Sequence, residues 1–251
     1  MKEQSAIERN HATYFWGISI LIGLYFTSLY NYLLFHRLAE IFSIIIACSI
    51  FIITYNSRRF LDNNCLLFLG SAYLFVGGLD LLHLLAYKGM GVFTGYGANL
   101  PTQLWIAARY VECLSLIISM LLFERTLRIE ILFLGYTLVT ALILGSVFYW
   151  DMFPICFVEG IGLTPFKKLS EYIISFILLV TVGILLKKSS WFDPKVLRLL
   201  LVSMFLTIIS ELAFAVYFDV YGLFNLLGHY FKIISFYLVY KGIVKTGLTK
   251  P

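Results

Sequence analysis

The sequence predicts an all-α fold, a polytopic transmembrane bundle of about eight spans with the N- and C-termini cytoplasmic. Three observations predict it. Hydrophobic residues fill 61% of the 251 positions and charged residues only 13%, about half the share of a soluble domain. Apolar runs of about 20 residues, enough to cross a hydrocarbon core, recur from end to end. Lys and Arg concentrate in alternate connections, as membrane orientation demands. The spans use up the chain, so 1–251 reads as one integral-membrane domain.

The first span is expected over 13–33. Residues 1–12 mix Lys2 and Arg9 with Glu3 and Glu8. The run after them is longer than the apolar part of a signal peptide and has no small-residue cleavage site. The second span, 37–55, ends at Asn56, Ser57, Arg58 and Arg59, and the third, 65–87, stops before Gly89 and Gly91. The fourth covers 102–123, the fifth 129–149 and the sixth 169–187. Pro194 stands at a helix start before the seventh, 195–218. The eighth is expected over 222–244, its helix leaving the membrane toward the cytoplasm.

Placing the N-terminus inside puts Lys2, Arg9, Arg58, Arg59, Arg125, Arg128, Lys187, Lys188, Lys195, Arg198, Lys241, Lys245 and Lys250 on the cytoplasmic side. Only Arg37, Lys88, Lys167 and Lys168 then fall outside. An odd number of spans breaks this bias in half the chain. The two longest connections, 88–101 and 150–168, lie outside, and long loops are where binding surfaces tend to sit. The basic residues are scattered over short loops, so the net charge of +5 does not point to nucleic acid. Cys48, Cys65, Cys113 and Cys156 include no CxxC pair and read as small apolar packing residues.

Ionisable side chains inside apolar runs carry the functional signal, because each costs kilocalories in hydrocarbon unless paired or wet. They are Glu40, Asp80, His83, Arg109, Glu112, Glu211, His229 and Lys232, with His36 at the outer mouth. In the topology above all lie in the outer half of the bundle. His36 and Glu40 are i,i+4; Asp80 and His83, Arg109 and Glu112, and His229 and Lys232 are i,i+3, so each pair shares a helix face. Four helices thus offer two polar groups each to a ligand or ion pocket, with Glu211 as a fifth contributor.

Trp105 and Tyr110 flank Arg109 as stacking partners or interfacial anchors. Gly77 and Gly78 are expected to let helices approach closely. Asn225 and Gly228 are expected to loosen the start of the eighth helix. Glu171 and Tyr172 read as helix-start and interface residues. The rival reading of the layer is an ion-pair staple, with Arg109 and Lys232 against the carboxylates. The donor types also admit a metal at His83, His229, Asp80 and Glu112, or a haem, without any paired metal motif.

The segments LLFHRLAEIFSIIIACSIFI, YLFVGGLDLLHLLAYKGMGVF, LWIAARYVECLSLII and GHYFKIISFYLVYKGIV together resemble the third type of membrane-associated sensor (MASE) domain. The likeness runs from about residue 10 to about residue 248. It implies a sensory input module of the bacterial inner membrane, not an enzyme, that precedes a cytoplasmic output such as a PAS domain, histidine kinase or diguanylate cyclase. No such output is present in this chain, which stops where a signalling helix would begin. The partners implied are the lipid bilayer and that output domain, with a homodimer left open. Two alternatives are an intramembrane metal-dependent hydrolase, which lacks a paired metal motif, and a transporter, which lacks repeats and broken midplane helices.

Overall fold

The computed structural model describes residues 2–58, 64–122, 128–216 and 222–249, with side chains over 15–58, 65–122, 128–216 and 222–244. Eight long helices account for the architecture: α1 Lys2–Tyr30, α2 Tyr32–Ser57, α3 Asn64–Ala86, α4 Asn99–Leu121, α5 Ile129–Phe148, α6 Pro165–Lys187, α7 Pro194–Val216 and α8 Leu223–Thr249. The all-helical bundle read from the sequence is therefore the fold. A two-residue hairpin, β1 Phe157–Val158 and β2 Gly162–Leu163, interrupts the connection before α6. Its turn rests on Gly160 and Gly162 at φ 80° and 98°, a region open to glycine at no steric cost.

Local chemistry sets the helix starts. Asn31 is extended, and its side-chain oxygen accepts from the Leu34 N–H at 3.1 Å. This N-cap splits the apolar stretch earlier than the boundary expected between 33 and 37. Thr164 caps α6 by accepting from the Lys167 N–H at 3.3 Å, and Pro165 occupies the first turn. The α6 helix consequently begins four residues before the expected 169 and takes in Lys167 and Lys168. Asp193 accepts from the Lys195 and Val196 N–H groups at 2.9 and 3.3 Å, so Pro194 starts α7 as expected.

The main packing contacts run α2–α3, α3–α4, α4–α6, α6–α7, α7–α8 and α8–α2. These six helices close into a ring. Outside it, α1 leans on α2 and α5 on α3 and α4. In α5 only Val147 is buried, whereas α4 buries residues along its whole length from Leu100 to Met120. Helices α2 to α7 are each long and apolar enough to cross a membrane. The described apolar part of α1 is Phe15–Tyr30. At 27 residues, α8 is about 40 Å long; its hydropathy is lowered by His229 and Lys232, which the ring encloses.

Small residues let the ring close. A Cβ on Gly70 falls 1.7 Å from Thr54 Oγ1, and one on Gly77 falls 3.1 Å from the Ala47 Cβ. Gly78, paired with Gly77 in the expectation, faces open space instead. Arg59 and Arg125, used in orienting the chain, lie outside the described residues, as do the side chains of Lys2, Arg9, Lys245 and Lys250.

Candidate functional site

All ten site residues expected from the sequence are buried. His36, Glu40, Asp80, His83, Trp105, Arg109, Glu112, Glu211, His229 and Lys232 each expose 5% or less. They come from α2, α3, α4, α7 and α8, and face the interior of the ring. The spacing argument thus selects the inward faces correctly: an i,i+3 or i,i+4 pair is carried to one side of a helix.

The centre of the layer is an ion-pair network. Arg109 Nη2 donates to both Asp80 oxygens, at 2.7 and 2.8 Å, and Nη1 donates to Glu112. Tyr73 donates to the other Glu112 oxygen at 3.2 Å. Lys232 reaches Glu40 Oε2 at 2.7 Å and Asp80 Oδ2 at 3.2 Å, joining α8 to α2 and α3. The rings of Trp105 and Phe236 lie against both cations, with Trp105 at 4.8 Å from Arg109 and 4.5 Å from Lys232. Charges buried this deeply are tolerated only when their partners are in place. Asp80 and Glu112, offered by the sequence as metal ligands, are instead engaged by Arg109.

A second network was not legible from the sequence. Lys167, assigned to an outer loop, is fully buried on α6. It pairs with Glu171 one turn along and donates to the Phe214 carbonyl at 2.8 Å. Glu171, read as a helix-start residue, is also fully buried. It accepts from Trp105 Nε1 at 3.2 Å, and Glu211 of α7 is its side-chain neighbour. Trp105 is therefore a buried connector between the two networks, not an interfacial anchor. The signal that locates Lys167 is the Thr164–Pro165 helix start, which carries the helix back past the charged pair 167–168. Counting both networks, five buried carboxylates (Glu40, Asp80, Glu112, Glu171, Glu211) face three buried cations (Arg109, Lys167, Lys232).

His36, His83 and His229 meet beside these networks. His36 stacks on Tyr87 with ring centroids 3.5 Å apart, and its centroid lies 4.8 Å from that of His229 and 5.4 Å from that of His83. They line a cavity of about 30 Å³ together with Tyr87, Trp105 and Phe214. That is room for one or two water-sized occupants, far below the several hundred Å³ of a pocket for a drug-sized ligand. The cavity is of ion size and not of haem size. His36, Glu40 and His83 bring one ligand atom each to within 4.8 Å of one another.

Phe214 walls the cavity, and Gly228 makes room for it, because a Cβ there falls 2.5 Å from the Phe214 ring. Asn225, expected to loosen the start of α8, lies inside the helix and is buried, and Gly228 accepts from Ser210 Oγ at 2.8 Å. Lys88, Ala98 and Thr102 also line the cavity, beside the two long connections. These dock on each other: Glu159 accepts from the Ala98 N–H at 3.1 Å, and Asn99 Oδ1 accepts from the Cys156 and Phe157 N–H groups at 2.8 and 3.1 Å.

No curated protein and no solved structure matches this chain. A family model described as the membrane-associated sensor domain MASE3 matches residues 27–251, which takes in α2 to α8 and every residue of the polar layer. The chain therefore belongs to the membrane-associated sensor domain family.

Proposed function

We propose that this domain senses a small ligand or ion in its buried polar layer and transmits occupancy through α8 to a cytoplasmic output such as a histidine kinase or diguanylate cyclase. The observation that carries this reading is the double role of α8. It contributes His229 and Lys232 to the layer and continues as one helix to Thr249. A shift of Lys232 or His229 therefore moves the whole rod.

The response requires two packings of the ring with different affinity for the ligand. A coupling of about 1–3 kcal/mol between the layer and the output makes a useful switch. Closed rings of packed helices suit such two-state behaviour, since cores rearrange discretely and do not deform smoothly. In this reading the cavity faces the periplasm and both termini lie in the cytoplasm, an orientation supported by the concentration of basic residues in alternate connections.

With α8 joined to a reporter output, His83→Ala and Glu211→Gln are expected to alter signalling while leaving membrane insertion intact. Unchanged signalling in both sinks the pocket reading. Single cysteines at Thr94 and Asp151 are expected to react with an impermeant reagent from the periplasm, and one at Thr126 only from the cytoplasm. The reverse pattern overturns the orientation.

A further inference from the structure

We propose that His36, His83, His229 and Glu40 form a binding site for one divalent transition-metal ion of the zinc class. This deepens the sensory reading above and rests on it only for the metal's role as the signal.

The argument begins with the unused ring nitrogens. His83 Nδ1 lies 2.7 Å from the Pro101 carbonyl, and His229 Nδ1 lies 2.7 Å from the Asn225 carbonyl. A carbonyl only accepts, so both Nδ1 atoms carry the proton and both Nε2 atoms of the neutral rings present a lone pair. Neither Nε2 makes a hydrogen bond among the described residues. His36 makes none at either nitrogen, and Glu40 none at Oε1. Three residues, His36, Glu40 and His83, thus bring ligand atoms together, and His229 Nε2 joins them through its approach to Glu40 Oε1; a buried polar group left without a hydrogen bond costs about 1–3 kcal/mol. One backbone carbonyl behind each of two rings is the outer support that metal-bound histidines use to fix tautomer and ring direction.

The geometry fits a single ion. His36 and Glu40 stand one turn apart on α2, and their ligand atoms lie within 4.8 Å of each other and of His83. His229 Nε2 lies 3.3 Å from Glu40 Oε1. Bonds of about 2.0–2.2 Å place two ligands of one ion at most roughly 4.4 Å apart, so small side-chain rotations complete the shell. Three imidazoles and one carboxylate favour zinc, nickel, copper or iron over calcium or magnesium.

Charge supports the same occupant. In the network nearest the histidines three carboxyl groups, Glu40, Asp80 and Glu112, face two cations, Arg109 and Lys232, a balance that suits a further cation better than an anion. Lys232, the nearest cation, is held on Glu40 Oε2 and on Asp80, which leaves Glu40 Oε1 to the ion.

The test is cobalt and zinc titration of the whole chain in detergent or nanodiscs. Expected are one equivalent of Co2+, visible d–d absorption of a low-symmetry nitrogen and oxygen site, and displacement by Zn2+. His36→Phe, which keeps a ring against Tyr87, and His83→Gln are each expected to weaken binding at least tenfold while elution as a folded monodisperse species is retained. Absence of stoichiometric binding in the wild-type chain overturns the site, as does binding undiminished in both variants. A variant that fails to fold is replaced by metal-dependent protection of His36 and His83 from diethyl pyrocarbonate in the wild-type chain. Equal labelling with and without metal counts against the site. A reporter fusion that responds through His83 in a chain that binds no metal overturns this inference and leaves the sensory reading standing.

Discussion

The paired charges and the histidines share one layer and one degree of burial, yet they differ in how far their polar atoms are satisfied. Arg109, Asp80, Glu112 and Lys232 make several strong hydrogen bonds and ion pairs within a network that also takes in Glu40 and Tyr73, with Arg109 Nε left over. His36 spends none, and His83 and His229 each spend one nitrogen on a backbone carbonyl. A satisfied buried network fixes the arrangement of helices. Converging unsatisfied atoms hold capacity in reserve for something else. The first is a staple that closes the ring, and the second is the better candidate for a site.

The largest effect belongs to the staple. Arg109→Ala leaves Asp80 and Glu112 buried without their cation, and removing one partner of such a pair costs about 3–5 kcal/mol. A large fall in melting temperature and in folded yield is expected; near-normal thermal unfolding breaks the distinction between the two regions. Next comes the Phe214 wall of the cavity. Gly228→Ala drives a methyl group into the Phe214 ring, and overpacking of this kind costs about 1–3 kcal/mol. Thermal unfolding checks it, and a cost near zero shows that Phe214 swings away freely.

His36→Phe exchanges one planar ring for another, a swap expected to cost below about 1.5 kcal/mol. Stability is expected to stay close to that of the parent while cobalt binding is lost. A collapse comparable to that of Arg109→Ala makes the histidines part of the staple. The smallest effect lies at the mouth. Cys156 is buried in the connection before α6, and burial pushes its thiol up to about 12. It stays protonated at pH 8, whereas the thiol of an unfolded chain ionises near 9. Maleimide labelling of the folded protein at pH 8 is therefore expected to be much slower than in denaturant. Equal rates show that the two docked connections open readily.

Much of the layer was legible because helical spacing is periodic. His36 with Glu40 and Arg109 with Glu112 are pointed inward by their intervals alone. Lys167 and Glu171 escaped because a charge near a helix end is free to extend into the interface. Only the start of α6 at Pro165, beneath the Thr164 cap, turns them into the ring. The six-helix closure was not legible either, since hydropathy treats α5 and α3 alike, although one lies outside the ring and the other in its wall.

The sequence by itself determined the membrane-spanning fold class, the inward-facing polar residues and the likeness to a sensor family, because these depend on composition, run length and the 3.6-residue repeat. Only the tertiary structure decided which carboxylates Arg109 takes, which nitrogens the histidines leave unused, and that α6 adds a second buried network. Those outcomes depend on distances between helices, and a few ångströms separate a staple from a site.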